Sequence, residues 1–267
     1  MSYVDIWLDT VEKIYSTFDP HRHDSNVYGF SDLKSAEELS ELVGEHKDSE
    51  MCDAIIKIEN LDCLESALKY SRTGKVCVLN FANPVKPALG VPKSNTQEED
   101  IIRRSDLALY LYDIPSIKTK FPKGNHFYPI KKEHIIYSKN VSVIKNNKGE
   151  QIRPFNIDII TAVALIAPAK KIICGTEAYK RPADYEYMSS YIELIFQTAI
   201  LNNVDVIILG AFGCGAFLCP AHDTAIIFKT ICQKYKKYFK IVTFSVIDSS
   251  HTKNYDIFCD IFSDIIS

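Results

Sequence analysis

Two stretches of the chain hold, at close spacing, residue types that can do chemistry. The first is Ile207-Ile208-Leu209-Gly210-Ala211-Phe212-Gly213-Cys214-Gly215-Ala216-Phe217. An apolar strand runs into three glycines, and a helix starts a few residues on, near Cys219-Pro220. Glycine lets the backbone turn tightly and bring successive amide hydrogens to an anion, and a helix start adds partial positive charge. This is the layout of a diphosphate cradle at the carboxyl end of a parallel strand, where open α/β sheets bind ligands. A tight turn that needs glycine for geometry alone accounts for the same residues. No Gly-Lys-Ser/Thr follows, so it is not a Walker loop, and its spacing is not that of the dinucleotide fingerprint. Phe217 offers a face for stacking on a base or ribose, or a core aromatic.

The second stretch runs from Asn80-Phe81-Ala82-Asn83 through a loop to Thr96-Gln97-Glu98-Glu99-Asp100. Three acids at a helix start suit the positive end of its dipole, and Thr96 with Glu99 fits a capping box. Adjacent carboxylates after a strand and a long loop also supply what glycosidic chemistry needs, one orienting ribose hydroxyls and another transferring a proton.

The elements around these stretches follow from periodicity. Trp7, Leu8, Val11, Ile14 and Tyr15 recur at helical spacing, a polar loop is expected over 21–29, and a second helix over 31–42 with Ser31 or Asp32 as N-cap. Strands are predicted at 54–58, 76–81, 157–162, 204–209 and 241–246, and helices at 63–70, 184–201, 221–236 and 255–265. A further helix from Thr96 carries Glu98, Glu99, Ile102, Leu107 and Leu111, and hairpin-like pieces fill 115–154, one of them before the turn Asn146-Asn147-Lys148-Gly149. Strand and helix alternating in this way predicts an α/β fold with a mainly parallel sheet covered on both faces. With no repeat and no flexible linker, one domain (51–267) with an N-terminal helical extension (1–50) is the economical reading.

Composition limits the partners. The 267 residues include 31 basic and 34 acidic side chains, a formal net charge of -3, which argues against a general binder of nucleic-acid phosphates. No apolar run is long enough to span a bilayer, and no basic-then-apolar segment opens the chain. The eight cysteines lack zinc-knuckle spacing, and most sit in apolar runs such as Val76-Cys77-Val78 and Ile172-Ile173-Cys174. They read as reduced, mostly buried thiols in a reducing compartment. The histidines (His21, His23, His46, His126, His134, His222 and His251) form no ligand cluster, so neither metal nor cofactor is expected.

Taken together, the two stretches resemble the bacterial-type poly(ADP-ribose) glycohydrolases, a branch of the macrodomain fold. Asn80-Phe81-Ala82, Gln97-Glu98-Glu99 and the run Leu209-Gly210-Ala211-Phe212-Gly213-Cys214-Gly215-Ala216-Phe217 match that family's motifs in order. The resemblance covers about residues 50 to 265 and implies a three-layer α/β/α macrodomain with a mixed, mainly parallel central sheet. One departure stands out: where the family has Asn-Pro followed by three glycines, this chain has Lys86-Pro87-Ala88-Leu89-Gly90.

The resemblance implies an ADP-ribosyl hydrolase. It makes Glu99 the acid/base residue, Glu98 the holder of ribose hydroxyls and Gln97 their support. Asn83, Gly90 and Gly210 become ligand contacts, the amides of Gly213, Cys214, Gly215, Ala216 and Phe217 bind the diphosphate, and Phe217 stacks. Asp100 is a third catalytic candidate, either a helix-dipole partner or a substitute in proton transfer, and Lys86 is a phosphate partner or a surface lysine. The altered loop favours a mono-ADP-ribosylated protein side chain as substrate. The alternatives are a poly(ADP-ribose) glycohydrolase, an inactive ADP-ribose reader, or a module that has lost its ligand. The expected partner is ADP-ribose or an ADP-ribosylated protein. No direct nucleic-acid or membrane contact is expected, and the protein is expected to be a cytoplasmic monomer, with delivery into a host cell left open.

Overall fold

Apolar strands buried on both faces need helices on either side, and this requirement organises the chain. The computed structural model describes residues 2–16, 24–43, 53–85, 93–111, 127–248 and 252–266. In chain order its elements are α1 (Tyr3–Ser16), β1 (Asp24–Gly29), a 3₁₀ turn (Phe30–Asp32), α2 (Ala36–Val43), β2 (Ile55–Glu59), α3 (Cys63–Tyr70) and β3 (Val76–Phe81). There follow α4 (Gln97–Arg104), α5 (Ala108–Leu111), β4 (His134–Lys145), β5 (Gln151–Ala162), β6 (Lys170–Ile173) and β7 (Thr176–Tyr179). The rest comprises α6 (Pro182–Leu201), β8 (Val206–Leu209), α7 (Ala221–Tyr235), a 3₁₀ turn (Lys236–Tyr238), β9 (Ile241–Ser245) and α8 (Asn254–Phe262).

Seven strands form a sheet in the order β1-β4-β5-β3-β8-β9-β2, and β6 with β7 forms a separate ribbon. The pairs β3–β8, β8–β9 and β2–β9 are parallel, while β4 and β5 form an antiparallel hairpin. The fold is thus the expected mixed α/β sheet flanked by helices. β8 is buried at every position and β3 at all but its last, as parallel strands covered on both faces require. Helix α3 forms where expected because Asp62 caps it, accepting from the amides of Leu64 at 2.9 Å and Glu65 at 3.0 Å.

Two compact units emerge, one of residues 1–27 with 80–163 and the other of 28–79 with 164–267, so both draw on sequence from either side of residue 50. In the first, the β4–β5 hairpin buries Ile135, Tyr137, Val141, Val143, Ile157 and Ile159, and α4 adds Ile101 and Ile102. In the second, Phe228, Phe244, Phe258 and Phe262 form an aromatic cluster, with the Phe244 and Phe262 ring centroids 4.8 Å apart.

Four local expectations are corrected. Residues Asp24–Gly29, expected as loop, form a strand at the sheet edge, where Ser25 meets Ser138 hydroxyl to hydroxyl at 2.9 Å. The second helix begins at Ala36 because Ser35 and Glu38 form the cap: Glu38 N–H donates to Ser35 Oγ at 3.2 Å and Ser35 N–H to Glu38 Oε2 at 2.7 Å. The helix expected from Thr96 through Leu111 breaks after Arg104, because Ser105 is extended and bridges to Val143 of β4, and Thr96 makes no side-chain cap bond. The run Ile172-Ile173-Cys174, read as buried, lies exposed on the β6–β7 ribbon, with Ile172 66% exposed.

The β4–β5 turn depends on Gly149. Its φ of +78° is left-handed, and an added Cβ would come within 2.5 Å of Ile6 Cδ1 on α1. Gly149→Ala is expected to cost about 1–2 kcal/mol from backbone strain alone, lowering the thermal midpoint by roughly 2–8 °C. An unchanged midpoint by calorimetry would contradict this account.

Candidate active site

Helix α4 places its acids at the end of β3. Phe81 N–H donates to Gln97 Oε1 at 2.7 Å, and Asn83 N–H donates to Glu98 Oε2 at 3.0 Å. The Tyr128 hydroxyl donates to Glu98 Oε1 at 3.1 Å, so each oxygen of this carboxylate accepts a bond. Asn83 shapes the turn beyond, accepting from Val85 N–H at 2.9 Å, while Ala82 N–H donates to Ala162 O on β5. Glu98 is 2% and Glu99 7% exposed. The first turn of α4 therefore presents two buried carboxylates at a strand end, and burial of such a pair calls for a partner chemistry of its own.

Asp100 faces elsewhere. Arg104 Nη1 donates to its Oδ2 at 2.7 Å and Arg103 Nη2 lies 3.7 Å from its Oδ1, an i,i+3/i,i+4 arrangement within the helix. Burial pushes the Arg103 guanidinium down from its ordinary value, and the charges of Asp100, Tyr3 and Glu99 act against that. Gly90 and Lys86 lie outside the described residues.

In the other unit the loop after β8 builds the second candidate feature. Four of its amides bond inward: Phe212 to Gly210 O at 2.8 Å, Cys214 to Ala211 O, Leu218 to Gly215 O and Cys219 to Gly213 O, each of these three at 3.0 Å. The consecutive amides of Gly215, Ala216 and Phe217 donate to no group among the described residues. Gly215 and Ala216 are exposed and Phe217 is half-buried. The two loop glycines differ in kind. Gly213 has φ +78°, and a Cβ there would meet Ala164 Cβ at 2.6 Å and Cys219 Sγ at 2.8 Å, so the fold itself demands glycine. Around Gly215 there is open space, with nothing within 4 Å of an added Cβ.

Phe217 is pinned through its carbonyl, which accepts from Ala167 N–H at 2.8 Å, and α7 begins just beyond at Ala221. A cavity of about 810 Å³ lies against this loop, lined in part by Cys214, Gly215, Ala216, Lys170, His222 and Lys253. Glu177 and Asp260 line the same cavity, and Glu177 pairs with Lys170 at 2.6 Å, so it is the free donors and the helix start that suit a phosphorylated ligand.

Every expected site residue that the structure describes falls in one of these two features. Gln97, Glu98, Glu99 and Asn83 come together in the first, with Asp100 turned to the arginines; Gly210, Gly213, Cys214, Gly215, Ala216 and Phe217 form the second. Sequence reasoning missed Tyr128, which sits 30 residues from Glu98 with no local motif to mark it. Arg103 was readable in principle, being placed at i+3 from Asp100.

The fold that carries these features is a mixed α/β sheet flanked by helices, and the comparisons with known proteins assign its family. The family model "Microbial-type PARG, catalytic domain" matches residues 10–146, just over half of the chain. The chain belongs to that family of ADP-ribosyl glycosidic-bond hydrolases. Among solved structures, the poly(ADP-ribose) glycohydrolase of Deinococcus radiodurans in complex with ADP-ribose matches with a TM-score of 0.70 and 21% identity, over 90% of this chain and 94% of that one. That of Thermomonospora curvata matches at 0.71 and 20%, over 97% and 99% of the two chains. A further structure of that protein, bound to the inhibitor ADP-HPD, matches at 0.69 and 19%, over 97% and 98%. At such identities these structures establish the shared fold. A comparison with curated proteins finds no match.

The described cysteines are free, and five of the seven are buried. Burial pushes the Cys214 thiol up to about 12 and the Cys219 thiol up to about 11. Iodoacetamide at pH 8 should label the exposed Cys174 in the native protein and spare Cys214 and Cys219. Mass spectrometry showing all three labelled at one rate would contradict this picture of the loop.

Proposed function

We propose that the chain hydrolyses the glycosidic bond joining the ribose of an ADP-ribosyl group to its acceptor, and that the acceptor is a protein side chain carrying a single such group. The observation behind the ligand is the run of free amides at Gly215, Ala216 and Phe217, beside a glycine whose lack of a side chain serves neither conformation nor packing. A diphosphate suits those donors, and Phe217 supplies a ring for a ribose or base.

In this reading Glu99 protonates the acceptor oxygen as the bond from the anomeric carbon breaks. The carboxylate left behind takes a proton from the water that attacks the oxocarbenium-like centre, so one water is consumed and Glu99 is regenerated. Glu98, tied to the chain through both of its oxygens, stands next to Glu99 as the group for the ribose hydroxyls. Proton transfer is placed on Glu99 in preference to Asp100, whose carboxylate is held by Arg104. The proposal includes a cytoplasmic monomer without nucleic-acid contact, in keeping with its free thiols.

The acceptor assignment rests on Ala88 and Leu89, which put side chains where the resembling family has glycines. The family match over residues 10–146 favours a second reading, removal of the terminal unit of poly(ADP-ribose). Release of ADP-ribose measured side by side from mono-modified protein and from polymer separates the two. A kcat/KM at least about tenfold higher on the mono-modified substrate is expected, and parity or preference for polymer would overturn the acceptor assignment. Calorimetric binding of ADP-ribose with release from neither substrate would identify a reader. Glu99→Gln should lower kcat by at least about 100-fold with ADP-ribose affinity little changed; full turnover in this variant would remove Glu99 from the chemistry.

The loop glycines give an independent check. Gly213→Ala should destabilise the fold by about 1–2 kcal/mol or more. Gly215→Val should leave the thermal midpoint unchanged and weaken ADP-ribose by about tenfold or more. Equal behaviour of the two variants in binding and stability would count against the loop as the diphosphate site.

A further inference from the structure

The carboxylates of α4 sit at the start of a helix that is gripped at its other end. Helix α4 stops at Arg104, and its last carbonyls need donors from outside. The fully buried Thr10 of α1 supplies one: its hydroxyl lies 2.5 Å from Arg103 O, with Ile6 O a second acceptor at 2.8 Å. Thr10 is itself held by Lys145, the last residue of β4. The Lys145 ammonium is 0% exposed and lies 2.6 Å from Thr10 Oγ1, 2.5 Å from Ile6 O and 2.7 Å from Asp9 Oδ2. Three acceptors for three ammonium protons, all on α1, leave this cation fully satisfied. Its backbone carbonyl accepts from Arg104 Nε at 3.4 Å.

A second line of contacts runs from α1 to the entrance of α4. The Tyr3 ring covers the Arg103 guanidinium at 4.3 Å, and Arg103 Nη1 donates to Ser94 O at 2.6 Å, in the stretch that leads into the helix. Ile6 and Ile14 already give α1 an apolar face, which is enough for simple attachment. A buried lysine is a costly addition to it, since burial pushes the Lys145 ammonium down from its ordinary value. What the polar contacts add is direction: hydrogen bonds fix one axial placement, whereas apolar packing tolerates sliding.

We infer that α1 is a positioning element for the carboxylate pair, and that Thr10 and Lys145 are its positioning residues, setting the placement of α4 and hence of Glu98 and Glu99. The catalytic half of this inference rests on the role proposed for Glu99; the mechanical half does not. A displacement on the order of 1 Å is enough to cost about 100-fold in rate.

The test uses the full chain with Thr10→Val, which keeps the side-chain shape, Thr10→Ser, which keeps the hydroxyl, and Lys145→Met. Hydrogen exchange of the 97–104 amides is read beside kcat, KM and ADP-ribose affinity. Thr10→Val and Lys145→Met should speed exchange over 97–104 by about five- to tenfold and lower kcat by about tenfold. KM and ADP-ribose affinity should stay within about twofold, and Thr10→Ser should restore both exchange and kcat. Unchanged exchange over 97–104 in folded Thr10→Val overturns the grip itself, and faster exchange with an unchanged kcat overturns the positioning role. If Lys145→Met does not fold, the Thr10 pair decides alone. If the parent chain releases no ADP-ribose, the role of Glu99 fails, and the exchange result still decides whether α1 holds α4.

Discussion

Two hydrogen bonds to Glu98, from the Asn83 amide and the Tyr128 hydroxyl, fix where everything else in the carboxylate unit must be. A carboxylate buried to this degree needs donors, and here they come from a strand-end loop and from a residue 30 positions on, so one side chain ties three pieces of chain together. Gln97 adds a third bond by accepting from Phe81 N–H, joining α4 to the last residue of β3. With α4 fixed at this end, its neighbour Glu99 is delivered buried and in register, without a loop of its own to hold it.

The glycine loop meets the opposite requirement. Its amides at Phe212, Cys214, Leu218 and Cys219 are engaged internally, which stiffens the loop, and the exposed stretch Gly215 to Phe217 is left with three consecutive amides that donate to no described group. Rigidity and open donors together are what preorganised anion binding needs, because no loop ordering opposes the ligand. Gly213 buys the shape, with its left-handed backbone pressed against Ala164 and Cys219, while Gly215 keeps the surface bare.

Much of this was legible in the chain itself, because the signals are local. Helix 63–70 and strand 76–81 carry their own caps and apolar runs, and the glycine and carboxylate motifs announce themselves by spacing. The failures have distant causes. Ser105 leaves its helix to pair with Val143, nearly forty residues later. The strand Asp24–Gly29 is polar because an edge position does not require burial, so periodicity had nothing to detect. Ile172 and Ile173 reverse the rule, being apolar and exposed. Tyr128 and Lys145 are the instructive omissions: one is a surface-type aromatic and the other a charge, and only tertiary structure brings them to a buried carboxylate and to the inner face of α1.

The contrast between Glu99 and Asp100 shows how adjacent residues of like chemistry acquire different work. One step along the helix turns a side chain by about 100°, which takes Asp100 out to 31% exposure and into the arms of Arg104 and Arg103. A carboxylate held by two arginines at the first turn also suits the positive end of the helix dipole, so Asp100 has structural work of its own. Glu99 remains buried beside Glu98, only 7% exposed. The order Glu98, Glu99, Asp100 thus distributes three placements over one helical turn: anchored to the strand end, buried beside that anchor, and paired with the arginines, of which Tyr3 of α1 covers Arg103.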